Sequence, residues 1–296
     1  MTGAERGFAL LTSALADPER RPLTSPQLRR LKGRMDAFPP ENPGRDLTRG
    51  DLLHLGYGTE EAERILQLLS QEELLEYTLA QARRRGIRCL TPVTPGYPPE
   101  LRRKLGWDLP GVLWAKGDME ILRMPKVAAV GSRDLLPDNR HFAAEVGVQA
   151  AKQGFALVSG NARGADRAAQ EACLAAGGSL IVVVADGLTD KRERERVLYL
   201  SEEGFDREFS SMRALRRNRI IHCMGQKVFV AQCSFGTGGT WDGTTKNLKY
   251  GWTPVFLFDD GSQAAVLLCS AGAVGIAAGA LSDFASLGGQ TNFLYC

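Results

Sequence analysis

The sequence predicts an α/β protein: an open, mostly parallel, Rossmann-like sheet with helices on both faces, preceded by a small all-helical domain. Three observations carry this reading. The apolar run 127–130 breaks into Gly131-Ser132-Arg133, as a strand does when it ends in a tight turn. After a helical segment, the run 155–158 breaks in the same way into Ser159-Gly160-Asn161-Ala162-Arg163-Gly164-Ala165-Asp166, so the strand, glycine turn and helix repeat. Before them, the first 80 or so residues show only short helical stripes separated by Gly and Pro.

Residues 1–82 read as the helical domain. Phe8, Leu11 and Leu15 share a helical face before Pro18, and Leu28, Leu31 and Met35 form a second stripe that stops at Pro39-Pro40. A third stripe runs from Leu47 to Leu55 and ends at Gly56; a fourth runs from Ala62 to Leu69 behind Thr59 as N-cap. Ser70-Gln71-Glu72-Glu73 has the form of a capping box and opens the helix of Leu74, Leu75 and Leu79. Arg83-Arg84-Arg85 ends that helix, where positive charge offsets the helix dipole; contact with an anionic partner is the other use of such a run.

Residues 83–280 read as the sheet domain, entered through extended pieces punctuated by Pro92, Pro95, Pro98, Pro99 and Pro110. The alanine-rich segment 165–176 is a strong helix former, and the apolar run 179–184 suits a strand covered on both faces. Lys191 to Arg196 alternates in sign and reads as a solvated helical turn, and 197–202 as the next strand. Arg213, Arg216 and Arg217 share one face of a helix-competent stretch anchored by Ile220 and Ile221, so their guanidinium groups can project together; ion pairing with Glu202, Asp206 and Glu208 is the competing use. A strand at 228–231, a glycine-rich loop from Gly236 to Gly243, a short helix with Lys246 and Lys249, and a last strand at 254–258 follow. Trp241 in that loop either stacks on a base or plugs the sheet edge. The small-residue segment 264–280 reads as a covering helix pair, and 281–296 as a short tail without a winged-helix pattern.

Ligands of an open parallel sheet sit outside the carboxyl ends of its strands, so both glycine turns face one crevice. Free backbone N–H groups at the following helix N-termini, together with Arg133 and Arg163, make that crevice positive, and a phosphate is the guest such a field selects.

The segments 127–133, 157–160 with Gly164 and Asp166, and Arg217-Asn218-Arg219-Ile220-Ile221 resemble the DNA-processing protein A (DprA/Smf) family. Upstream, Gly86 to Thr91, Tyr97-Pro98 with Leu101, and Val112-Leu113 before Gly117-Asp118 fall in that family's order, so the resemblance covers roughly residues 60–275. It implies a sterile-alpha-motif-like helical domain and a sheet domain that dimerises. It also implies binding of single-stranded DNA, protection of incoming strands, and loading of the RecA recombinase in natural transformation and homologous recombination. The residues it points to for phosphate or DNA contact are Gly131, Ser132, Arg133, Ser159, Gly160, Arg163, Gly164, Arg217, Asn218, Arg219 and Lys246. Two departures stand out: about ten charged residues after Asp186 replace the family's Tyr-Pro and Asn segment, and Gln232 stands where the family has a glutamate.

Composition narrows the alternatives. A net charge of +3 over 296 residues is no polycation, so a nucleic-acid site must be a local patch. Six scattered cysteines lack C-x-x-C spacing and read as buried thiols, Cys89 in a strand and Cys173 in a helix, in a reduced, cytoplasmic protein. No apolar run suits a membrane span, the three histidines stand apart, and no Gly-Lys-Ser/Thr loop occurs, so neither membrane, metal nor other cofactor is expected. Two other functions use the same crevice: a nucleotide sensor, or a nucleotide phosphoribohydrolase with Asp166 and Asp242 as acid and base. The glycine loop lacks the glutamate that such hydrolases carry, so no enzyme is expected.

Overall fold

The computed structural model describes residues 1–288 apart from 16, 18 and 40–44. Pro18, Pro40 and the tail from 289 to Cys296 thus lie outside the described residues. Helices α1 (Gly3–Thr12), α2 (Ser25–Ala37), α3 (Arg49–His54), α4 (Thr59–Leu69) and α5 (Glu72–Arg84) come first. Capping boxes open three of them, with Thr2, Thr24 and Thr48 paired to Glu5, Gln27 and Asp51 three residues on. The box expected at Ser70 does not form. Ser70 instead ends α4, its hydroxyl donating to Gln67 O at 3.1 Å, and Gln71 precedes α5 without a side-chain cap. One turn between α4 and α5 leaves no room for a separate cap on each.

Strand β1 (Ile87–Leu90), helix α6 (Pro99–Leu105) and strand β2 (Leu113–Gly117) make up the proline-punctuated connector. Pro98 and Pro99 start α6, a place where a missing N–H costs nothing. The alternating body follows: β3 (Lys126–Val130), α7 (Pro137–Lys152), β4 (Ala156–Ser159), α8 (Ala165–Ala175), β5 (Ser179–Val183), β6 (Val197–Ser201), α9 (Ser211–Met224), β7 (Val228–Val230), α10 (Gly238–Tyr250), β8 (Val255–Phe258), α11 (Gln263–Ser270) and β9 (Val274–Ile276). Among the described residues these strands form one sheet in the order β1-β2-β6-β5-β4-β3-β7-β8-β9. Every pairing from β6 to β9 is parallel, while β2 runs antiparallel to both β1 and β6.

The chain therefore winds outward from β3 through β4, β5 and β6, then returns to the other side of β3 for β7, β8 and β9. The turns after β3 and β7 leave in opposite directions, and that reversal sets the crevice. One apolar layer joins α1, α5, α7 and α8 to one face of the sheet, with Phe142, Val146 and Leu157 fully or almost fully buried. The other joins α6, α9 and α11 to the opposite face, with Leu101, Ile220 and Met224 fully buried. A third cluster, Leu23, Leu31, Leu52, Ile65 and their neighbours, holds α2, α3 and α4 together. Among the described residues no helix is long and apolar enough to cross a membrane.

Further expectations differ from the outcome. Gly238 to Gly243 is the first part of α10, not a loop, because Thr237 provides an extended N-cap and Thr244 and Asn247 are buried. The 264–280 segment is one helix and then β9, whose register is fixed by β8 and not by any periodicity of its own small residues. Residues 191–194 have no regular structure, and Arg196 adopts a left-handed φ of 59°. Cys173 is buried as expected, but Cys89 is only half-buried on its edge strand.

Candidate functional site

Glycines shape the crevice by letting its own walls touch. Gly164 has φ 81° and precedes α8; a Cβ there would lie 2.4 Å from the carbonyl oxygens of both Ser132 and Arg133. The Ala165 N–H donates to Ser132 O at 3.1 Å, and a Cβ on Gly131 would fall 2.6 Å from that of Ala165. These glycines therefore serve the packing of turn against turn. Gly160 does likewise over a charged pair: a Cβ there would meet the Arg217 guanidinium at 2.3 Å and the Asp166 carboxylate at 2.4 Å.

Arg217 reaches this place because α9 lies beneath the carboxyl ends of β4 and β5. It donates to Val183 O at the end of β5, is 7% exposed, and has a buried Nε without a partner. Burial pushes its pKa down and the nearby Asp166 opposes that. Burial pushes the Asp166 carboxyl up, against Arg217 and the Ala162 N–H that donates to it at 3.1 Å. Asp166 thus closes the 160–166 turn and supports a buried cation. Ser159 is fully buried, its hydroxyl accepting from Gln170 Nε2 at 3.2 Å. Arg133 stands exposed on the rim, with no side-chain ion pair or hydrogen bond among the described residues, whereas exposed Arg163 meets Asp134 at 3.3 Å.

The remaining expected residues diverge from this point. Arg219 turns away to Glu202, which it grips through both guanidinium nitrogens at 2.7 and 2.6 Å. Burial works against its charge, but Glu202 more than compensates and raises its pKa. Arg213 pairs with Glu203 at 3.2 Å and Arg216 with Glu202 at 3.6 Å, so the arginine face is divided between ion pairs and the buried Arg217. Asn218 donates to Gly239 O at 2.9 Å and fastens α9 to the start of α10. Lys246 pairs with Asp242 at 2.9 Å, eight residues into α10 and so about 12 Å along its axis from the crevice end. Gly131, Ser132, Arg133, Gly160, Arg163, Gly164 and Arg217 come together; Arg219 and Lys246 do not join them. Trp241 packs against the α9 layer and meets Phe235 edge-on at 5.2 Å.

Gln232 is the residue whose role was not legible. Its backbone carbonyl accepts from Ser132 N at 2.9 Å, and its side-chain oxygen accepts from Leu136 N at 2.9 Å, just before α7. It spans the reversal point and caps a helix end, which an acceptor of either amide or carboxylate type can do. A carboxylate adds a favourable charge at a helix N-terminus, so Gln232→Glu is expected to raise stability by about 0.5 kcal/mol in urea unfolding. In the segment after Asp186, Leu188 is fully buried and Lys116 donates to the carbonyls of Leu188 and Thr189 at 3.5 and 3.4 Å. A short irregular strap thus covers this side of the sheet. Among the described residues no group of three or more His, Cys, Asp or Glu is arranged to hold a metal ion.

Comparison with known proteins adds three findings. A family model described as DNA recombination-mediator protein A matches residues 88–275. DNA processing protein DprA of Streptococcus pneumoniae is 34% identical over 142 residues, which cover 45% of this chain and 50% of the relative; that of Bacillus subtilis is 30% identical over 169 residues, covering 53% and 56%. The chain thus spans about half the length of these curated relatives. Among solved structures, the S. pneumoniae protein shares the fold with TM-score 0.67 and 24% identity over 88% of this chain and 96% of its own. The Helicobacter pylori DNA processing protein A, described for its single-stranded DNA binding mode, aligns with TM-score 0.54 and 25% identity over 64% of this chain and 90% of its own.

Proposed function

The chain belongs to the DNA recombination-mediator protein A family, and on that premise we propose that it binds single-stranded DNA in the crevice at the carboxyl ends of β3, β4 and β5. In this reading the protein acts in the cytoplasm as a homodimer without catalysis of its own, protects incoming strands, and passes them to a RecA recombinase during natural transformation and recombination. The observation that carries it is that Arg133, exposed on the rim, and Arg217, buried beneath the turn with its Nε unbonded, both lack a full set of partners among the described residues. Such a site holds phosphate and leaves the bases unread, so binding is weakly dependent on sequence. Gly131, Ser132, Gly160, Arg163 and Gly164 frame that site. Ser159, Asn218, Arg219 and Lys246 act on it through the packing of the turns and of α9 and α10.

The test is fluorescence anisotropy with single- and double-stranded oligonucleotides across a salt series. The single strand is expected to bind more tightly, with affinity falling steeply as salt rises. Arg133→Ala should weaken binding about tenfold at low salt and reduce the magnitude of the log–log salt slope by about 1, while melting as the wild type does. Equal affinity of wild type and Arg133→Ala for the single strand would remove the crevice from consideration.

A further inference from the structure

A second hollow opens beside α9. It has a volume of 710 Å³ and lies between the end of α1, the loop before β2 and the end of β6. Part of its wall is apolar, with Phe8, Leu28 and Trp114 in it, and Trp107, also in its lining, is 41% exposed. The sheet and the helices before it meet closely here: a Cβ on Gly111 would fall 2.2 Å from the Thr12 hydroxyl. Leu15, on the same wall, holds a left-handed φ of 49°, a conformation a branched side chain adopts only when its surroundings impose it.

The charge around this apolar space is positive. Arg102, Arg207, Arg213 and Arg216 line it against the carboxylates of Glu202 and Glu203. Among the described residues Arg207 makes no ion pair or side-chain hydrogen bond, and Arg216 is two-thirds exposed and meets Glu202 only at 3.6 Å. Trp107 also borders a neighbouring hollow of 510 Å³ that contains Arg29 and Arg30. An exposed indole flanked on both sides by arginines is the arrangement that takes a planar apolar group bearing anionic neighbours. The glycine crevice and this hollow both border α9, Arg217 reaching under Gly160 while Arg213 and Arg216 line the hollow.

We propose that this hollow is a second subsite for the same single strand, in which unpaired bases enter against Trp107 while Arg102, Arg207 and Arg216 hold the phosphates on either side. The inference rests on the crevice being the first subsite. It adds a contact to bases, which a duplex cannot offer, and so assigns the preference for single strands to the junction between the helices and the sheet.

The test compares oligothymidylates of about 6 and about 20 nucleotides, the short one sized for the crevice alone. Trp107→Ala and Arg207→Ala are expected to weaken binding of the long oligonucleotide about tenfold and to leave the short one unchanged. Arg133→Ala weakens both. Binding of the long strand should quench tryptophan fluorescence in the wild type, and most of that quench should vanish in Trp107→Phe; an abasic strand of the same length should not produce it. Wild-type affinity of Trp107→Ala and Arg207→Ala for both lengths, with Arg133→Ala still impaired, overturns the second subsite and leaves the crevice standing. Failure of wild type to bind either length overturns both.

Discussion

Gly164→Ala is expected to lower stability by about 4 kcal/mol, which for a protein of this size lowers the melting temperature by about 10 °C. Two effects add. At φ 81° and ψ −124° an L side chain is strained by about 1–3 kcal/mol. The new methyl would also sit 2.4 Å from two backbone carbonyl oxygens that cannot move without pulling β3's turn off α8. Gly154→Ala isolates the first effect, since Gly154 has φ 75° but nothing within 4 Å of its would-be Cβ; it should lose only about 1 kcal/mol. The two variants melting alike would mean that the turn and the helix are not in contact. Gly164→Ala should also weaken nucleic-acid binding where Gly154→Ala does not, because it displaces Ser132 and Arg133.

Acidification is expected to remove about 3 kcal/mol of stability through one side chain. His222 is 1% exposed between α9 and α10, and burial lowers its pKa from 6.5 to about 4. The facing groups act in opposite directions: Asp242 favours the charged ring and Lys104 opposes it. Because the folded pKa is depressed, the unfolded chain takes up the proton first. Stability therefore stays level above about pH 6.5 and falls as the pH drops from there towards about 4, at ~1.4 kcal/mol per pH unit. Asp166 has the opposite sign. Its raised pKa means that protonating it on acidification relieves a buried charge, so it offsets part of the loss. Urea unfolding of wild type and His222→Leu at a series of pH values separates them: the variant should lose the steep limb below pH 6.5. An unchanged slope in His222→Leu would place the acid sensitivity elsewhere.

The sheet was legible in the sequence where composition and period agreed. The runs 127–130, 155–158, 179–184 and 197–202 correspond to strands β3 to β6, whose ends lie within one residue of those of each run. The glycine turns were legible as turns, but not the reason for the glycines, since Gly131 and Gly164 answer to residues on different segments. β9 was not legible because Val274, Gly275 and Ile276 are a strand only by virtue of β8 beside them. α10 was hidden by three glycines in its first two turns, a local preference that burial of Thr244 and Asn247 overrides. Helical spacing placed Arg213, Arg216 and Arg217 on one face, but spacing does not say where carboxylates wait. Glu202 and Glu203, brought up at the end of β6, divide that face. Trp107 and the hollow beside it were missed because nothing local marks them; only the approach of α1 to the loop before β2 encloses that space.

The grip of Arg219 on Glu202 has a further consequence, for which insertions the chain can accept. A helix turns about 100° per residue, so tying residue 219 to the end of β6 sets the phase of all of α9 and aims residue 217 inward. Residues added between Glu202 and Ser210 leave that phase alone, but they disturb a segment anchored by Phe205, buried edge-on against Trp114, and by the Gly187 N–H that donates to Arg207 O. One residue added between Arg217 and Arg219 advances the phase by a quarter-turn or so and swings the buried guanidinium out from under Gly160. An insertion in that segment costs packing at Phe205, whereas one inside the two-residue interval of the helix removes Arg217 from the crevice.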